Sequence, residues 1–141
     1  MKVQHFHVYS SIFVIAFLFA AFDVVAAQAD DPKPDPREKL ETAIPEGIKL
    51  LTAKEHKPFV EMFVAPADLK EITKKTPLDE FVKRFAEDKA PKLLKVLEEI
   101  KDTKPTLDKT GTRATYTLKE NGDGKKSITF KKIEKYWYIQ N

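Results

Sequence analysis

Cysteine is absent from the 141 residues. That excludes disulfide staples, thiolate metal sites, cysteine nucleophiles and a lipid-modified N-terminal cysteine, so any fold must be held by packing alone. Glycine is scarce, with four copies, and no glycine-rich loop suited to cradling phosphate is present. Histidine is scarcer still: of three, two fall within the first seven residues and His56 stands alone in the remainder. No zinc-helix spacing and no Ser-His-Asp order exists. His56 lies in the polar run Lys54-Glu55-His56-Lys57, without a nearby partner to orient it or further ligands to share a metal, and reads as a surface turn residue. The carboxylate pairs Glu87-Asp88 and Glu98-Glu99 are helix neighbours about 100° apart, which do not converge on one site. Asn121-Gly122-Asp123-Gly124 lacks the alternating ligand series of a calcium loop, since Lys125 and Lys126 follow. Internal repeats and low-complexity tracts are also missing.

What is present begins with compartment. Met1-Lys2 gives a basic start, residues 12–22 form an apolar run, and small residues lead to Ala27-Gln28-Ala29. This order is that of a cleavable secretion signal. Cleavage fits after Ala29 or after Ala27. Asp23 interrupts the apolar stretch, which argues against a retained membrane anchor. The expected organisation is a signal over residues 1–29, a flexible leader over 30–35 and a single domain over 36–141. Removal of 29 residues from 141 leaves 112, enough for one core. Its charge is uneven: residues 30–68 hold 6 basic and 9 acidic side chains, and residues 70–141 hold 18 and 12. A net charge of +3 over the whole chain is modest.

Helical signals fill the first half. Asp35-Pro36-Arg37-Glu38 has the form of a cap, a first-position proline and a closing carboxylate. Leu40, Ala43 and Ile44 share a face, and Pro45 and Gly47 predict a break or kink. Phe59, Met62 and Phe63 restart the pattern, and Pro66 opens a short helical turn. Thr76-Pro77-Leu78-Asp79 repeats the capping form ahead of the stripe Leu78, Phe81, Val82 and Phe85. After Pro91 a second stripe follows at Leu93, Leu94, Leu97 and Ile100. Both stripes are expected to dock on a sheet.

The sheet signals come last. Residues 104–107 are a candidate short strand and 108–111 a turn. Residues 112–119 alternate strictly, with Ala114, Tyr116 and Leu118 on one side. Residues 121–124 predict a hairpin turn. Residues 125–132 alternate with Ile128 and Phe130 inward, Glu134-Lys135 allows a tight return, and Trp137 and Ile139 share a face of the final strand. The fold class is α+β: N-terminal helices on one face of a curved, mainly antiparallel sheet of three to four strands.

Helical first half, then Thr112-Arg113-Ala114-Thr115-Tyr116-Thr117-Leu118, Ser127-Ile128-Thr129-Phe130-Lys131-Lys132 and Trp137-Tyr138-Ile139: this succession resembles the cystatin-like, nuclear transport factor 2-like superfamily, and within it small exported bacterial domains. The resemblance spans most of residues 36–141 in element order. It implies a sheet wrapped around helices, a pocket that some members use for ligands and a few for catalysis, and frequent dimers through the sheet. Members usually carry glycine in the turn before the final strand, where Glu134-Lys135-Tyr136 stands here.

Three functions follow as expectations. One is an exported, non-enzymatic binding or accessory module that takes a small ligand or protein partner. The second is a small isomerase- or hydrolase-like enzyme, which would need an ionisable group facing a cavity. The third is a structural envelope protein acting through protein contacts, with an exposed apolar patch around Tyr136 and Tyr138. Tyr116, Phe130 and Trp137 share inward parity and are the candidate pocket-lining residues. No catalytic, metal or cofactor site is assigned. Nucleic acid is not an expected partner, because the modest charge and export oppose it. Membrane insertion after cleavage is not expected, and a homodimer is the assembly that the third reading implies.

Overall fold

The computed structural model describes residues 33–119 and 126–140. The expected signal segment, the start of the expected leader and the hairpin turn expected at residues 121–124 lie outside them. The described chain runs through a 3-10 turn (Pro36–Glu38), helices α1 (Leu40–Thr52), α2 (His56–Phe63), α3 (Pro66–Lys75), α4 (Leu78–Asp88) and α5 (Ala90–Ile100), then strands β1 (Thr106–Leu107), β2 (Arg113–Thr117), β3 (Ser127–Ile133) and β4 (Tyr136–Gln140). Helices precede strands, and the sheet is an antiparallel meander in the order β1-β2-β3-β4. The α+β expectation is met with four strands.

Several helix boundaries depart from the sequence pattern. Asp35 does accept the N–H of Arg37, at 2.9 Å. What it caps is one 3-10 turn, because Lys39 is extended (φ −132°, ψ 142°) and α1 starts afresh at Leu40. Glu38, expected to close a capping box, pairs with Lys135 at 3.2 Å. Pro45 lies inside α1 without ending it. Its ring is exposed, so the carbonyl it leaves unpaired can be hydrated, while the buried Ala43, Ile44, Leu50 and Leu51 hold the helix on either side. Gly47 permits close packing: a Cβ there would stand 3.2 Å from Leu97 Cδ1 and 3.4 Å from the Phe59 ring. The capping box expected at Thr76 does not form either. No side chain caps α4, and Asp79 reaches Lys57 at 3.0 Å.

The two apolar stripes have different destinations. Leu97 and Ile100 on α5 are fully buried in one cluster with Ala114, Tyr116 and Phe130 of the sheet. The α4 stripe contributes no fully buried residue. This helix rests on α2 and α5, with Phe85 stacked on Phe59 at a centroid separation of 5.5 Å. Docking on the sheet therefore holds for α5, and α4 forms a second helical tier.

Opposed residues in an antiparallel pair project to the same face. The register Ala114↔Phe130, Tyr116↔Ile128 and Phe130↔Ile139 thus sets one apolar face against the helices. The other face carries Thr115 opposite Thr129 and Arg113 opposite Lys131. The outer edge of β4 is closed by a parallel bridge from Val64 to Ile139. Among the described residues no charged side chain is buried, and no helix is long and apolar enough to cross a membrane.

Candidate functional site

Tyr116, Phe130 and Trp137 come together, but as core. They are 3%, 0% and 6% exposed. Tyr116 meets the edge of Phe130 at 5.9 Å and 78°, and the Lys132 ammonium lies 5.7 Å over the Trp137 ring. Burial, with the charge of Glu41 second, pushes the Tyr116 phenol above its ordinary value. These contacts are those of packed aromatic side chains.

Open space lies elsewhere, among the helices. A groove of about 460 Å³ is lined by Leu51, Thr52, Lys54, His56, Ala86, Ala90, Pro91 and Leu94. The groove is broadly open to solvent along one side. The chain makes the groove by being small where helices converge. Ala86 and Ala90 flank the junction at which Pro91, in the first turn of α5, prevents α4 from continuing. On the facing side α1 ends in a tight reversal: Glu55 N–H donates to the Leu50 carbonyl and Lys54 N–H to the Leu51 carbonyl, at 2.9 and 3.1 Å. This is the 6→1 and 5→2 pairing of a helix C-terminus whose next residue is left-handed. Glycine is the usual occupant of that place, and here it is Lys54, with φ +60°.

His56, which the sequence pattern assigns to a polar turn, is the half-buried first residue of α2. Its ring meets the edge of Phe85 at 6.3 Å, and its imidazole makes no hydrogen bond among the described residues. The groove therefore has aliphatic walls, one ammonium and one imidazole at its margin, and no carboxylate in its lining. Glu87 and Asp88 are exposed beyond it. Glu99, half of the other carboxylate pair, accepts the Lys119 N–H at 2.5 Å.

A second polar constellation fastens the first element to the last strand. The Arg37 guanidinium lies 4.5 Å over the Tyr136 ring and 5.5 Å from that of Tyr138. It donates to both oxygens of Asp35, at 2.9 and 2.6 Å, and to the Met62 carbonyl at 3.0 Å. The hydrogen bonds from Arg37 hold the Asp35 carboxyl below its usual value. Tyr138 is consequently 6% exposed and Tyr136 half-buried. The exposed apolar patch expected around these tyrosines is thus absent: among the described residues the only large apolar side chain left open is Leu107. No group of three or more metal-ligating side chains occurs among them.

Comparison with known protein families, with curated proteins and with solved structures finds no match.

The groove residues were missed in the sequence because their signal is negative. Small alanines four apart across a helix break point to missing volume, whereas inward parity singles out large side chains.

Proposed function

We propose that the protein is an exported binding module that holds a small acidic amphiphile in the helical groove without transforming it. The observation that carries this reading is the lining itself: Leu51, Ala86, Ala90 and Leu94 offer apolar contact, and Lys54 supplies a cation at the rim, with no carboxylate in the lining. An apolar tail would gain about 25 cal/mol for each Å² removed from water. An anionic head would be selected by the Lys54 ammonium. General acid–base work calls for a partner that orients the base, and the His56 ring abuts a phenylalanine. Export rests on the layout of residues 1–29. Kinship with the cystatin-like, nuclear transport factor 2-like superfamily is supported by helices that precede a four-stranded meander, although the groove sits between helices and not beneath the sheet.

The test is a thermal-shift titration of the domain with medium-chain carboxylates and the matching alcohols. Tm should rise with the acids and much less with the alcohols, and Ala86→Leu, which fills the groove, should abolish the rise while the protein stays folded. An equal response to acid and alcohol, or an undiminished response in Ala86→Leu, removes the proposal.

A further inference from the structure

The face of the sheet turned away from the helices carries a juxtaposition that folding alone does not favour. Arg113 and Lys131 are direct cross-strand partners, so their side chains rise side by side from the same face, with Cβ atoms about 5 Å apart. Like charges so placed destabilise a sheet. Both are exposed, and neither forms an ion pair among the described residues. The Asp108 carboxyl is held below its ordinary value, first by the Thr110 hydroxyl and more weakly by the charge of Arg113, and its oxygens are engaged in the adjoining loop. They accept the N–H groups of Thr112 and Arg113 at 2.9 and 3.0 Å and the hydroxyl of Thr110 at 2.8 Å. Arg37 and Lys135, beside the neighbouring strand, have carboxylate partners, Asp35 and Glu38. Arg113 and Lys131 have no ion pair of that kind among the described residues.

Opposite Lys131 on β4 stands the buried Tyr138, and along β2 and β3 the pair's neighbours on that face are hydroxyls. Two residues along each strand, Thr115 and Thr129 are again direct partners, with their Oγ1 atoms 3.2 Å apart. Thr117 and Ser127 form the next pair and are exposed. The outward positions of β2, β3 and β4 contain no aspartate or glutamate. The result, on the β2–β3 part of this face and beside the Arg37 clasp that covers β4, is a strip with two cations at one end and rows of groups that both donate and accept.

We propose that this strip docks an acidic polysaccharide, with a sugar carboxylate seated on Arg113 and Lys131 and the neighbouring sugar hydroxyls exchanging hydrogen bonds with the threonine rows. The mixture of groups selects the occupant. A guanidinium presents the paired donors that a carboxylate accepts, and sugar hydroxyls need partners that both give and take hydrogen bonds. A bound carboxylate also offsets the mutual repulsion of the pair. This strip is independent of the helical groove and stands or falls without it.

The experiment measures binding of polygalacturonate oligomers to the protein, with neutral dextran and single-stranded DNA as comparison probes, at low and at physiological salt. The wild type should bind polygalacturonate, more weakly as salt rises, and should prefer it to both comparison probes. Arg113→Thr and Lys131→Thr should each weaken that binding by about tenfold. The same variants should melt at the wild-type temperature or about 1–4 °C above it, because removing either cation removes the repulsion. The opposed signs separate a recognition role from a structural one, which would lower Tm in the variants. The proposal is overturned by a wild type that ignores polygalacturonate, by dextran or DNA binding as well or better, by variants that bind unchanged, or by variants that lose stability.

Discussion

Two side chains occupy backbone conformations better suited to glycine. Lys54 has φ +60° and Glu134 has φ +55°, and a non-glycine residue there costs on the order of 1 kcal/mol. Glu134 is the first of the two loop residues between the partners Ile133 and Tyr136, a hairpin place where a positive φ is required. Glu134→Gly should therefore raise stability by about 0.5–1 kcal/mol in a urea melt, with no effect on ligand binding. Lys54→Gly should give a similar rise and weaken the acidic ligand of the groove, because its cation lies at the margin. The loss of binding in Lys54→Gly, absent in Glu134→Gly, separates the two sites. A third residue tests the core. Trp137→Ala should cost about 3–5 kcal/mol, and a loss under about 1 kcal/mol would contradict its burial among the helix and sheet residues.

At the scale of elements, the strands were more legible than the helix ends. Strict alternation gave Ala114, Tyr116 and Phe130 inward, since a period of two leaves no choice of face once one side is apolar. Helix boundaries depend on which polar partner wins, and that choice is tertiary. Glu38 and Asp79 both had local caps to serve, and each is drawn to a lysine elsewhere in the fold. Tyr138 was assigned outward by parity and is nonetheless buried, because Arg37 covers it from across the molecule. The groove escaped for a related reason, being a product of helix convergence that no single element encodes. The Arg37 clasp yields its own prediction. Arg37→Ala should destabilise by about 1–2 kcal/mol, through lost ring contacts and an orphaned Asp35. Arg37→Lys should restore little, because an ammonium cannot span both rings and both carboxylate oxygens. The Arg37 hydrogen bond holds the Asp35 carboxyl below its ordinary range, so its stabilising share is complete above the unfolded value. It fades as pH falls through the lower folded value. The gap between acid melts of wild type and Arg37→Ala should accordingly be widest near neutrality and narrow at low pH to the share the ring contacts carry.

At the scale of the whole molecule, the proposed export has a direct check. Protein recovered from outside the cytoplasm should begin at Asp30 or Gln28 by N-terminal sequencing, and an intact Met1 in that fraction would rule the signal out. The same scale gives the clasp a mechanical meaning. Residues 35–38 grip the hairpin and strand at 135–138, so the first and last described elements are stitched side by side. A pull applied to the two ends of the domain would strain this seam before it reached the helices. Anything tethered through the leader would then tug first on one guanidinium and two rings, making that stitch the fuse of the fold.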